Sequence, residues 1–194
     1  MPKQVRRRKK QQQNPFLSIG FGLFLVGMAV VLFASGNSNN GPGSGATEFS
    51  VLPIEVNFPA PELSLENIDG RTESLADYRD GVVLVNNWAT WCPPCKAEMP
   101  TLEAYFEEHA GEGFSIIAIE AGDSRELVSQ FAEQYQLQFP VWLDPAGASL
   151  RAFGNGTLPN SYVIDRTGTV RLAWTGEVNR DVLEKYVTPL LTEQ

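Results

Sequence analysis

The longest apolar run of the chain covers residues 16–34, FLSIGFGLFLVGMAVVLFA, 19 residues with no charge and Ser18 as the one strongly polar side chain. As a helix this run would extend roughly 28 Å, about the hydrocarbon thickness of a bilayer. The pattern therefore predicts a transmembrane helix over 16–34, and glycine at positions 20, 22 and 27 is compatible with one. The stretch that follows, SGNSNNGPGSGAT, holds only small and polar residues. It can bury no core and predicts a flexible linker over 35–50. A domain is expected over 51–194, with its core beginning near residue 61. There the pattern changes to short apolar segments separated by turn residues. Strands are predicted at 63–65 and 72–75 about the turn Ile68-Asp69-Gly70-Arg71, and one helical turn at 76–78. VVLVNNW, residues 82–88, reads as a buried strand with two polar residues near its end. Residues 93–109 carry Met99, Leu102 and Phe106 at helical spacing. A second buried strand, 114–119, is followed by an amphipathic helix over 124–135 capped by Asp123 or Ser124. A short strand at 141–143, a short helix near 148–153, a hairpin of 161–165 with 170–174, and a closing helix over 179–191 complete the pattern. Strands alternating with helices and ending in a hairpin predict an α/β fold with a mixed sheet covered on both faces.

Charge orients this arrangement. Lys3, Arg6, Arg7, Arg8, Lys9 and Lys10 precede the apolar run, and no acid occurs before Glu48. Basic residues on one side only predict a cytoplasmic tail over 1–15 and a body on the outer side of the membrane. A cleaved signal peptide, with Ala34-Ser35-Gly36 as the cleavage region, is the alternative, but such apolar regions usually run about 7–15 residues. Either reading puts the body outside the cytoplasm. That body keeps nine basic and 23 acidic residues, a net charge of −14, which argues against a nucleic-acid partner. Two cysteines and one histidine exclude a disulfide-dense scaffold and a four-cysteine zinc site, and leave little for a Ser-His-Asp triad.

The two cysteines stand as Trp91-Cys92-Pro93-Pro94-Cys95 at the predicted passage from strand to helix. A tetrahedral metal site wants four ligands. Cys92, Cys95 and His109 supply three at most, and His109 lies some four turns along the helix, so no metal is expected at this pair. Disulfide chemistry suits the position better. At a helix N-terminus, unpaired N–H groups and the helix dipole stabilise a thiolate, the attacking species in exchange. Pro93 suits the first helical turn, having no N–H to satisfy. Cys95 follows one turn later on the same face, within reach of Cys92. The expected division of labour has Cys92 exposed and attacking, and Cys95 shielded and resolving. An inert staple is the weaker reading, because so short a loop gains little from cross-linking.

VVLVNNWATWCPPCKAEMP, residues 82–100, resembles the thioredoxin-like superfamily, and within it the membrane-anchored thiol–disulfide oxidoreductases of the TlpA/ResA kind, relatives of the cytochrome c maturation thioredoxins. The resemblance covers residues 59–191. It implies a thioredoxin-like α/β fold, a central mixed sheet flanked by helices, with an extra N-terminal β-hairpin after Ala60-Pro61. Leu158-Pro159-Asn160-Ser161-Tyr162-Val163-Ile164-Asp165 resembles the family's proline loop and next strand. By that likeness Pro159 is expected in the cis form, facing the disulfide, with Leu158 offering backbone hydrogen bonds to an extended substrate segment. Trp91 and Pro93 flank the cysteines as candidate substrate contacts. Glu98, three residues after Cys95 on the same helix face, occupies the place where this branch has a glutamate near the buried cysteine, and is expected to relay the Cys95 proton. Asn86 stands where ordinary thioredoxins have a buried aspartate; it cannot titrate, which favours Glu98 as the substitute. Asn87 departs from the usual aromatic residue and is expected at most to hold loops, as is Asn86. Pro100 is read as structural, Trp88 as core, and His109 as a surface helix residue. Glu120 ends a strand directed to the same edge and reads as an ordinary strand-end acid.

The resemblance implies an enzyme with no cofactor beyond the Cys92–Cys95 disulfide. Protein thiols or disulfides, apocytochrome c among them, are its expected partners, with a membrane donor of thiol type supplying electrons. Oxidase or isomerase action is the alternative direction. A thiol peroxidase is disfavoured, since Ala89, Thr90 and Trp91 lack the active-site proline that family places before its cysteine. A copper carrier is disfavoured for want of ligands.

Overall fold

The run VVLVNNW becomes the centre of the molecule. The computed structural model describes residues 51–192. In it β4 (Val82–Trp88) is buried at every one of its seven positions. A strand covered on both faces has no use for polar alternation, which is why this one reads as a nearly continuous apolar run. The strands β1 (Ile54–Pro59), β2 (Ser64–Asn67), β3 (Thr72–Ser74), β4, β5 (Phe114–Glu120), β6 (Val141–Leu143), β7 (Asn160–Ile164) and β8 (Thr169–Thr175) form one sheet in the order β1-β8-β7-β4-β5-β6-β2-β3. β4 pairs in parallel with β5, and β5 with β6. The other pairings are antiparallel, so the sheet is mixed.

Alternation along β4 and β5 divides the core. Val82, Leu84 and Trp88 join Phe114, Ile116 and Ala118 on one face, under α1 (Pro93–His109) and α2 (Arg125–Tyr135). Val83 and Val85 join Ile117 and Ile119 on the other, with Trp142, Tyr162 and, from the N-terminal hairpin, Leu63. The short α3 (Ala148–Ala152) lies in the β6–β7 connection. Asp144 starts it by accepting from the N–H groups of Ala148 and Ser149. Ser124 caps α2 by accepting from the N–H of Leu127, one of the two candidate caps.

The predicted hairpin is β2–β3, joined to the sheet through β6. β1 was not expected. It adds to the opposite edge by pairing with β8, and its IEVNFP has little burial of its own. The closing helix is broken into α4 (Arg180–Val182), a π-helical turn Leu183–Val187, and α5 (Thr188–Thr192). Pro189 lacks an N–H and would press on the carbonyl of Lys185, and a widened turn at that point relieves the clash. His109 is not a surface residue: it is buried at the end of α1, with its ring 4.4 Å from that of Tyr105 and its Nδ1 2.9 Å from a Glu112 carboxylate oxygen. The cytoplasmic tail over 1–15, the transmembrane helix over 16–34 and the linker over 35–50 fall outside the described residues. Among those described, no helix is long and apolar enough to cross a membrane.

Candidate active site

The chain leaves β4 at Trp88, makes one turn and enters α1 at Pro93. Cys92 is the residue that caps α1. Its extended backbone (φ −90°, ψ 109°) turns the sulfur back over the first turn, where it accepts the Cys95 N–H at 3.3 Å. Pro93 sits in that first turn, where a missing N–H is no loss. Cys92 and Cys95 are joined as a disulfide, with Cα atoms 5.3 Å apart. The expectation that Cys92 is exposed needs correction. It is 4% exposed and Cys95 0%, so the pair touches solvent only through the edge of Cys92. The capping position that stabilises the sulfur also turns it inward. What is exposed beside it is Trp91, at 65%, together with Pro93.

Glu98 lies one turn below Cys95 on the inward face of α1 and is fully buried. Two donors hold it. Asn86 Nδ2, on β4, reaches Oε1 at 2.8 Å, and the Val178 N–H, after β8, reaches Oε2 at 3.1 Å. Asn86 also donates to Ser161 Oγ at 3.0 Å, tying the carboxyl to the start of β7. Removal from water outweighs both hydrogen bonds and pushes Glu98 up to about 8, so it is largely protonated at neutral pH.

The Leu158–Pro159 peptide bond is cis. Pro159 is buried and Leu158 half-buried, immediately before β7. Asn87 proves to belong to this loop. It faces the side of β4 opposite Asn86 and donates to Asn160 Oδ1 at 2.9 Å, while accepting from Ser149 Oγ at 2.6 Å. Asn160 in turn donates to the Thr157 and Asn155 carbonyls, closing the turn that carries Pro159. The adjacent asparagines of β4 thus grip the first two residues of β7 from both faces of the sheet. Ser161, Asn160 and the Val178 N–H carry parts of this arrangement that the sequence did not mark.

A disulfide capping a helix, a buried carboxyl on the same helix face, and a cis-proline loop held to the same central strand form one assembly. The AhpC/TSA family model matches residues 56–173. This chain belongs to the AhpC/TSA family. It is similar to the thiol-disulfide oxidoreductase ResA of Geobacillus thermodenitrificans, 34% identical over 92% of this chain and 97% of the relative. It is also similar to the ResA of Oceanobacillus iheyensis, 30% identical over 96% of this chain and 95% of that one. Among solved structures it resembles a thiol:disulfide interchange protein of the thioredoxin family from Chlorobium tepidum, with a TM-score of 0.64 and 28% identity, over 71% of this chain and 99% of the other. The thioredoxin-like α/β fold is thereby established, and with it the activity. The chain is a thiol-disulfide oxidoreductase of the ResA type carrying a C-x-x-C pair at Cys92 and Cys95, and that activity implies protein thiols or disulfides as its substrates.

Proposed function

We propose that this AhpC/TSA protein is a membrane-tethered reductant of protein disulfides on the outer side of a cell membrane, and that Glu98 is its proton relay. The observation that supports this most is the neutral, buried Glu98 placed one turn from the fully buried Cys95. In the reduced protein the Cys92 thiolate, favoured by the helix N-terminus, attacks a sulfur of the substrate disulfide. A mixed disulfide forms and one substrate thiolate leaves. Cys95, which is shut off from bulk solvent, must then lose its proton. Glu98, whose carboxyl titrates at about 8 and so near the range of a thiol, takes that proton in its ionised form and ends the step as the neutral acid. The Cys95 thiolate attacks the Cys92 sulfur, restores the Cys92–Cys95 disulfide and releases the second substrate thiolate. Two electrons pass from the cysteine pair to the substrate, with no further redox group. Trp91 and Pro93, on the surface beside Cys92, and the Leu158–Pro159 loop form the substrate contact in this reading. An extended segment would pair with the Leu158 backbone.

The location rests on the apolar run 16–34 and the basic residues before it. Outside the cytoplasm the pair would need a thiol-type donor within the membrane to re-reduce it. Apocytochrome c, whose haem-binding cysteines must be reduced, is the substrate favoured by the likeness to cytochrome c maturation thioredoxins. Replacing Cys95 by Ser in the cell tests this. The variant should accumulate mixed disulfides through Cys92 with extracytoplasmic proteins, apocytochrome c among them. Trapping of cytoplasmic proteins alone would refute the location, and trapping without any apocytochrome would refute that substrate.

A further inference from the structure

Glu120 ends β5 on the same face of the sheet as the disulfide and α1, and the mechanism above makes no use of it. Its side chain is wholly buried, and among the described residues Oε1 has no donor. Its other oxygen accepts the Asp123 N–H at 2.9 Å. The Asp123 side chain stands against it, and its second partner is Thr90, whose hydroxyl donates to Asp123 Oδ2. Thr90 lies in the turn that ends at Cys92, whose N–H is bonded to the Ala89 carbonyl at 3.1 Å. A continuous chain of contacts therefore runs from Glu120 through Asp123 and Thr90 to the loop presenting the attacking sulfur.

Two carboxylates cannot satisfy one another, since both only accept. A single proton changes this: a neutral Glu120 supplies the missing O–H donor to Asp123 and frees the charge of Asp123 for the Thr90 hydroxyl. We propose that Glu120 is a positioning residue that holds a proton against Asp123, and that while it does so Thr90 stays tethered and fixes the Ala89–Cys92 turn. Loss of the proton sets two like charges together, Asp123 swings toward solvent, and the turn loses its tether.

The surroundings leave Asp123 as the ionisable group that governs this. Burial first, then the hydrogen bond and like charge of Asp123, hold the Glu120 carboxyl up at about 7, against donors from the Asp123 and Gly122 N–H groups. Across the pairing on β4 stands Trp88, packed on Phe131 of α2 with ring centres 4.5 Å apart. The charges at the start of α2 are engaged elsewhere: Arg125 on the Asn67 and Ile68 carbonyls, Glu126 at the Ser124 cap.

The test is the rate at which iodoacetamide alkylates Cys92 in the reduced, full-length protein in detergent, followed between about pH 5.5 and 9.5. Beside the titration of the thiol itself, the native profile should show a second step near neutral pH. That step should be about tenfold or larger, the size of one charge-assisted hydrogen bond. Glu120→Gln keeps a donor toward Asp123 but cannot ionise, so its profile should stay on the low-pH branch with no step. Thr90→Val cuts the tether at its half-buried end and should follow the high-pH branch throughout. A native-like step in either variant overturns the proposal. Absence of any Cys92 alkylation would overturn the assignment of Cys92 as the attacking thiol and this inference with it.

Discussion

Glu98→Gln should change how stability depends on pH, in a direction that follows from burial alone. The native carboxyl ionises near 8, against a usual value of 4.5, because β4, α1 and the Val178 turn enclose it. Between those two values the folded state keeps a proton that the unfolded state gives up. Stability therefore falls as pH rises through this window, by about 1.4 kcal/mol per pH unit. The full contribution is present below pH 4.5, and about 3 kcal/mol of it has gone at pH 7. Glutamine cannot ionise and escapes this loss. It still accepts from Asn86 but presents N–H₂ where the Val178 N–H now finds an acceptor, at a loss of about 1–3 kcal/mol at every pH. The two effects have different signatures, one sloping and one flat. Chemical denaturation of both oxidised full-length proteins should be followed from pH 5 to 9 and the difference taken, which cancels Glu120 and Glu103, also raised by burial. The native protein should be the more stable at pH 5, and the variant should gain steadily up to about pH 8. A difference that stays constant across the range would refute the placement of a protonated carboxyl at this position.

Asn87→Leu should destabilise by about 1–3 kcal/mol or more, because Asn160 Oδ1 and the Ser149 hydroxyl lose their partner inside the sheet. Thermal unfolding reads this, and an unchanged midpoint would show that the Asn87–Asn160 contact holds nothing. Trp91→Ala, at a site 65% exposed, should leave stability within about 0.5 kcal/mol while slowing reduction of protein disulfides more than that of a small disulfide. Equal slowing of the two would remove Trp91 from the substrate surface.

The parts of this molecule that were legible in the sequence are those whose causes are local. β4 and α1 follow from an apolar run ending at a cysteine cap and a proline, and the structure has them at the expected residues. β1 escaped notice because IEVNFP is a strand only by virtue of its partner β8, more than a hundred residues away. Asn87 was opaque for the same reason: its partners Asn160 and Ser149 lie 73 and 62 residues further along the chain. His109 read as a surface residue from its place near the end of a helix, whereas Tyr105 one turn earlier and the following turn at Glu112 enclose it. Cys92 was expected at a helix N-terminus and is there. Its burial depends on which way a capping side chain turns, and composition does not encode that. Glu98 could be placed on the face of Cys95 by spacing, but its protonation depends on burial beneath elements as distant as the Val178 turn, eighty residues along the chain.

Cys92 and Cys95 are expected to form a reversible couple that works as a reductant. Equilibration of the full-length protein against defined thiol–disulfide buffers measures its reduction potential directly. A reductant should show a value near the thioredoxin range, about −270 mV. A value near −120 mV would mark a disulfide donor and contradict that expectation.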